Sequence, residues 1–516
     1  MTRASNWAIP LLDPNRYPVS LWTTQRIRYA AYWRHFDGDW LDEQINSDNK
    51  RLKYPLKLNP FNMACLLHAG LLFGEVQDSS DLMVNTVVEP WGQDSPANKR
   101  ETAQAMTDLV NRVWYENEGR SIQQEGGLVS QILGGAVYSV AYDPSREDEG
   151  YLPIRIDHTL PEYYFPVWSP MRYHDLLEAI ISFELTAMQA KETYNVDITS
   201  GTALYHGRWT KDAYDITVDG QAALWHDQAL TASHGLGRVP YVYIPHIRAG
   251  EYYGISLLKG KDEIAREVNS VFADLGDIVG ENARSIPAIV NTSRVTLRRI
   301  AGGQVYLDLG REVPGAGSPD IKFPSSVQVN EPTVNWANQL LELARVEAYT
   351  PPVLYGLDEG SQRSALSLAL KALPLLVHVR QERTNWTTGL NQIAWLILRM
   401  AADRKLDKRI TRAALKNVKY WQDWSPVMPR DHEQEVNEVI MRVNANLMSP
   451  QAGLAKLGDT QDIKTELNLI KAWMKQVAKI ESQGSQDPFA GAGANGTLAG
   501  LEKPEKVQAN LKKDKE

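Results

Sequence analysis

The residues nearest in type to a chemical site are Gly254-Ile255-Ser256-Leu257-Leu258-Lys259-Gly260-Lys261-Asp262. A phosphate-binding loop uses glycines so that backbone N–H groups reach phosphate oxygens, a lysine for the outer phosphates and a Ser or Thr hydroxyl for magnesium. Here the spacing between the glycines is one residue too long, and Asp262 stands where the hydroxyl is needed. No convincing buried strand precedes them. The stretch reads as a turn ahead of a helix.

Other chemistries find still less support. The histidines form neither an HExxH pair nor a Cys/His cluster, so the sequence predicts no metal site, zinc included, and no cofactor. His226 and His234 stand near strand ends and read as surface or core residues. Asp143 to Gly150 is acidic but lacks the ordered spacing of a calcium loop, and reads as a solvated turn. There is no GxSxG elbow for a serine nucleophile. The single cysteine, Cys65, lies in an apolar helical stretch and reads as a small core residue; it allows no intrachain disulfide, which fits a reducing compartment. Nothing here makes a positive case for an enzyme.

The 516 residues suffice for several domains and a large core. A net charge of −8, with both signs well mixed, argues against a basic protein that coats phosphates. The opening MTRASNWAIPLLDP has no sustained apolar run, so no signal peptide is expected, and no window of about 18 apolar residues predicts a membrane span. Trp and Tyr (15 and 22) far exceed Phe (8). Amphipathic aromatics of this kind sit at interfaces, although core packing accounts for most of them.

The pattern predicts an α+β fold, mainly helical. Ser20–Phe36, Met63–Phe73, Asn98–Glu116 and Ser121–Leu133 read as helices. From Ala136 the period changes to two, with strand-like runs GAVYSVAYD, YLPIRIDH, EAIISFELT, ALYHGRWT, AYDITVDG and VPYVYIPH. Tyr163 to Trp168 reads as an aromatic edge strand stopped by Pro166 and Pro170. A long helical hairpin follows. Its outward arm runs from Gly254 to about Arg284, roughly 40 Å, with Ile264, Val268, Val271, Leu275 and Ile278 on one face. Phe272 and Val279 stand beside that face, and Asp262, Glu263, Glu267, Asp274, Asp277 and Glu281 lie opposite. The return arm, Pro332–Tyr349, carries Trp336, Leu340, Leu343 and Val346 at helical spacing and ends at Thr350-Pro351-Pro352. Between the arms, residues 285–330 hold short β-like runs around Gly302-Gly303, with Arg294, Arg298 and Arg299 making them locally basic; a solvated strand face is the plainer reading of those arginines. After a polar loop, Ser364 caps a helix from Ala365 to about Arg404 that Pro374 should kink. Val418–Pro429 reads as a β/turn element, then Asp431–Ala445, Pro450–Leu457 and Thr460–Lys479 as helices. From Glu481 the chain loses periodicity and reads as a disordered tail.

In this order the elements resemble the portal proteins of tailed bacteriophages, in the Gp6-like head-to-tail connector branch, over roughly Tyr32 to Leu457. Tyr32 with Phe36-Asp37-Gly38-Asp39 is similar to the family's N-terminal segment, and Asn59 with Leu71-Leu72-Phe73-Gly74-Glu75 to its following helix. Pro240–His246 and Tyr253-Gly254-Ile255-Ser256 resemble the lead into its stem, which Asn269 and Ala273-Asp274-Leu275 continue. Gly360-Ser361, Ser364-Ala365-Leu366, Arg383 and Trp386 resemble its next helix. Asp431, Glu433, Glu435 and Leu447-Met448-Ser449-Pro450 resemble its C-terminal pattern.

The resemblance implies a wing (1–253), two stem helices (254–284 and 331–349), a β-rich clip (285–330) and a tunnel loop (350–363). A long kinked helix with a wing return (364–429), a crown (430–480) and the tail (481–516) complete the subunit. It also implies a ring, usually of twelve subunits, at one vertex of the capsid in the virion, assembled in the host cytoplasm. Double-stranded DNA would pass through the ring non-specifically, packaged by the terminase large subunit and later ejected. Head-completion or tail adaptors would follow the terminase at the clip, and major capsid and scaffolding proteins would surround the ring. Asp274, Asp277, Glu281, Gln362 and Arg363 are the expected channel residues, and Arg294, Arg298 and Arg299 the expected docking residues. Two other readings stay open: another ring-forming adaptor or structural virion protein, and a DNA-packaging enzyme.

Overall fold

A computed structural model describes residues 10, 12–39, 58–74, 82–92, 96–172, 175–198, 201–225, 228–250, 252–283, 288–291, 296–299, 305–308, 318, 320–322, 331–355, 370–427, 432–457 and 463–484. The chain forms two units, Met1–Met428 and Pro429–Glu516.

The first unit opens with α1 (Val19–Asp37) and α2 (Pro60–Phe73). Asn59 starts α2 by accepting the Asn62 N–H, with Pro60 in the first turn, where a missing N–H costs nothing. Next come β1 (Val84–Pro90), α3 (Ala97–Glu116) and α4 (Gly119–Leu133). The β-rich part follows as β2 (Gly135–Tyr142), β3 (Ile154–Thr159), β4 (Tyr164–Trp168) and β5 (Leu176–Thr186). A short α5 (Ala187–Tyr194), begun by a Thr186/Gln189 capping box, leads to β6 (Thr202–Trp209), β7 (Ala213–Val218), β8 (Thr231–Ser233) and β9 (Tyr241–Pro245). The hairpin comprises α6 (Asp262–Ala283), β10 (Ala288–Val290), β11 (Thr296–Arg299), β12 (Val305–Asp308), β13 (Asp320–Lys322) and α7 (Glu331–Glu347). Helix α8 (Leu373–Arg404) and strand β14 (Val418–Trp424) close the unit.

All strand pairs among the described residues are antiparallel. β2 lies between β9 and β3, and the larger sheet runs β8-β7-β6-β5-β4. Helices cover two of the open edges, those of β4 and β1. Along β4 the Trp22 indole of α1 donates to the Pro166 carbonyl at 3.0 Å, and the Arg26 guanidinium donates to the Tyr164 carbonyl. Along β1 the Asn111 side chain of α3 exchanges both hydrogen bonds with Thr86, and Thr107 accepts from Val88 N–H at 2.9 Å. Edge backbone groups that would template other chains are thereby satisfied. The main core gathers Trp114, Tyr138, Ile244, Trp386, Ile393 and Ile397 from α3, β2, β9 and α8. Trp114, Tyr138 and Trp386 are fully buried in it, while Trp22, Tyr29 and Tyr164 are fully buried in three smaller clusters.

Several expectations change. β1 was not expected, because its partner β14 lies more than three hundred residues on, pairing Val84 with Trp424 and Pro90 with Val418. α5 was also missed. Pro374 does not kink a continuous helix: the chain breaks at Ala372, and Pro374 sits in the first turn of α8, where it disrupts no intrahelical bond. Residues 356–369, with Ser364, fall outside the described residues.

The second unit holds α9 (His432–Asn444), α10 (Pro450–Leu457) and α11 (Ile463–Gly484). α11 runs three residues beyond Glu481, where the sequence was expected to lose structure; its apolar residues Leu469, Trp473 and Met474 are exposed.

Candidate functional site

The hairpin is rooted in the C-terminal end of α4. A helix leaves its last four carbonyls without intrahelical partners, and the segment before α6 supplies them. Leu257 N–H donates to Gln131 O at 3.0 Å, and the Ser256 hydroxyl donates to Ile132 O at 2.6 Å. The same hydroxyl accepts Leu258 N–H. Gly254 lies so close to Gly134 that a Cβ there would stand 2.1 Å from the Gly134 carbonyl oxygen. Gly134 itself has φ +84, in the left-handed region that favours glycine. Residues 254–261 are therefore turn and docking segment, and α6 begins at Asp262 rather than at Gly254. Its 22 residues span about 33 Å at 1.5 Å per residue. Lys261 pairs with Glu347 of α7 and closes the root, a structural use that leaves the phosphate-loop reading nothing to explain.

Leu340 and Ala344 of α7, with the following Ala348, are buried in the cluster that holds Ala265 and Val268 of α6, and Ile264, Val271 and Leu341 pack against it; Ala337 is buried as well. The four residues expected at helical spacing, Trp336, Leu340, Leu343 and Val346, do lie on one helix but not in one environment. Leu340 is buried, but Trp336, Leu343 and Val346 are 50%, 49% and 69% exposed. Their spacing of seven and three puts them together on another side of the helix. On α6, Leu275 and Ile278 are half-buried and Val279 is exposed. Asp274 is exposed and Asp277 half-buried. Glu281 lies in the last turn of α6.

Between the arms, β10 pairs with β13, and β11 pairs with β12 inside that pair. These nested hairpins match the expected β-rich insert. Arg298 and Arg299 face Tyr306 and Val305 in the β11–β12 register. Arg294, Gln362 and Arg363 fall outside the described residues.

Many of the residues that carry the family resemblance prove to be joints between helix ends. The Asn59 amide donates to the His35 and Phe36 carbonyls at the end of α1. Asn269 accepts Leu58 N–H at 3.1 Å. Arg383 donates to Leu72 O at the end of α2 and lies over the Trp424 ring, while Trp386 packs edge-on against Phe73.

Beneath the root lies a polar cluster that sequence spacing did not suggest. His68 of α2, His246 after β9, and His378 and Glu382 of α8 come together with Gln131 of α4, all buried. Glu382 Oε1 receives Gln131 Nε2 at 2.8 Å and stands 3.2 Å from His378 Nε2, and His246 Nε2 also meets it. His246 donates through Nδ1 to Ile255 O at 2.6 Å, and His68 through Nε2 to Ala348 O at 2.8 Å. The cluster thus touches both the segment before α6 and the end of α7. Tyr349 stacks on His378 with ring centroids 4.7 Å apart. The histidine partners lower the Glu382 carboxyl below its usual range against the opposing effect of burial, and Glu382 raises His246. Burial lowers His68 to about 4, so it is neutral at physiological pH. The one local signal was His378-x-x-x-Glu382, one helical turn apart.

Among the described residues no helix is long and apolar enough to cross a membrane. The family model "Phage portal protein, SPP1 Gp6-like" matches residues 92–479, most of the chain. No curated protein matches. A match of that extent, over a mixed helical and β architecture carrying a two-helix hairpin with a β-rich tip, settles the family: the chain belongs to the Gp6-like phage portal proteins.

Proposed function

We propose that the chain forms the portal ring at one vertex of the capsid, usually of twelve subunits in this family, through which double-stranded DNA is packaged and later ejected. The observation that carries this reading is the apolar side of α7. Trp336, Leu343 and Val346 remain exposed while Leu340 and Ala344 are buried in the cluster shared with α6. Contiguous exposed apolar residues on a rigid element mark a surface that another protein covers, and in a ring the next subunit supplies the cover. The portal family is structural rather than enzymatic, so nothing in the hairpin needs to be catalytic.

In this reading α6 and α7 are the stem and residues 285–330 the clip, where the terminase large subunit and then head-completion or tail adaptors dock. Residues 1–253 are the wing, 350–363 the tunnel loop, 364–429 the long helix and wing return, and 430–480 the crown. Major capsid and scaffolding proteins surround the assembly. Asp274, Asp277 and Glu281, with Gln362 and Arg363, border the channel, and Arg294, Arg298 and Arg299 receive the motor. An acidic lining suits a conduit: each phosphate matched by Lys or Arg adds affinity and would hold DNA in place.

The test is a double substitution, Leu343→Glu with Val346→Glu, on the full chain. Size-exclusion chromatography with light scattering should report loss of the large assembly with folded subunits retained. An assembly of unchanged mass would remove α7 from the subunit interface.

A further inference from the structure

We propose that His68, His378 and Glu382 form a binding site for a divalent transition metal of the zinc type, which ties α2, α8 and the end of α7 into one joint. Among the described residues these three form a set whose ligand atoms all lie within 4.8 Å of one another. All three side chains are buried: His68 and Glu382 are fully inaccessible and His378 nearly so.

Two buried atoms point to a missing ligand. His68 Nδ1 and Glu382 Oε2 have no hydrogen-bond partner among the described residues. A bare carboxylate oxygen and a bare imidazole lone pair in the interior are costly when left unsatisfied. One cation would satisfy both. His68 already donates its other ring nitrogen to Ala348 O, which leaves Nδ1 as the lone pair. Metal-ligating histidines characteristically donate the second ring nitrogen to a carbonyl or carboxylate, which fixes tautomer and direction. Glu382 is prepared in the same way: Gln131 and His246 hold Oε1, which also lies 3.2 Å from His378 Nε2, and Oε2 has no hydrogen-bond partner among the described residues.

The donor set selects the ion. Two imidazoles and one carboxylate suit zinc and its neighbours, whereas magnesium and calcium prefer all-oxygen sites. At bond lengths of about 2.0–2.1 Å the ligand atoms of a tetrahedral site lie roughly 3.3 Å apart, so ligand atoms that lie within 4.8 Å of one another need to close by about 1.5 Å at most. With three protein ligands the fourth position falls to water. The role is structural. Bound metal would orient His68 and thereby hold the Ala348 carbonyl, fixing the place where α7 passes into residues 350–372.

The test uses the untagged full chain, stripped with EDTA and titrated with Zn2+ alone, with bound metal counted by mass spectrometry. One zinc per chain is expected, with affinity at least about 100-fold lower in His68→Gln, His378→Gln and Glu382→Gln. His246→Asn, which touches only the supporting shell, should weaken binding about tenfold. Zinc should also raise the melting temperature of the unsubstituted protein, and magnesium should not; this arm stands even if a variant fails to fold. No zinc retained by the unsubstituted chain, or unchanged affinity in a folded His68→Gln, would overturn the proposal. Neither result depends on whether the ring reading holds.

Discussion

At the scale of single residues, Gly134 and His35 bear most weight relative to their size. Gly134 ends α4 at φ +84, and a Cβ there would meet the Gly254 carbonyl oxygen at 2.4 Å, a backbone atom that cannot swing aside. Gly134→Ala should cost about 2–4 kcal/mol in urea unfolding, from positive-φ strain plus overpacking. A loss under about 1 kcal/mol would mean that the α4–α6 junction is looser than described. His35, at the end of α1, is held neutral chiefly by burial; Asp262 opposes this and Arg266 assists. Its folded pKa is therefore below the unfolded value of about 6.5. On acidification the unfolded chain takes up the proton first, so this stability, full above about pH 6.5, falls as pH drops toward the folded pKa. His35→Gln should narrow the difference between urea midpoints at pH 7.5 and pH 5.5. An unchanged difference would assign the acid sensitivity to other groups.

Such residues also mark what the sequence makes legible. The glycine-serine segment before α6 was recognised as a motif, but its work, capping a helix through a bond that spans 124 residues, is invisible to any local pattern. The buried cluster was missed for the same reason. Its histidines come from α2, the end of β9 and α8, and only His378 and Glu382 share a helix.

At the scale of elements, local periodicity served well where one element carries its own signal. α1, α3, α4, the strands β2 to β7 and β9 lie close to their expected spans, because a terminator stands near each; the short β8 was not expected. Spacing alone did not separate the two sides of α7. Trp336, Leu340, Leu343 and Val346 stand at helical spacing, yet only Leu340 among them is buried, and it joins Ala344 in the cluster that holds Ala265 and Val268. The large residues are left for another surface, and the Leu343→Glu, Val346→Glu pair tests that assignment directly. Within the body, Trp386→Ala should cost about 3–5 kcal/mol, since Trp386 is fully buried against Phe73 and Tyr138. A much smaller loss in thermal or urea unfolding would contradict the placement of α8 at the centre of the core.

At the scale of the molecule, the order of elements and their local matches carried the resemblance to the family, and the family match over residues 92–479 bears that out. The proposed channel lining is an electrostatic claim at this scale. Asp274→Arg with Asp277→Arg should slow DNA packaging or release and make it more salt-dependent, because the new cations pair with phosphates. Unchanged salt dependence would take these residues out of the channel. The central claim is the ring itself, and images of the purified full-length protein by electron microscopy test it most directly. The account predicts closed rings with a central hole, the α6–α7 hairpins packed side by side around it and the nested β-hairpins at one end. A monomer at micromolar concentration, or an assembly without a central opening, would contradict it.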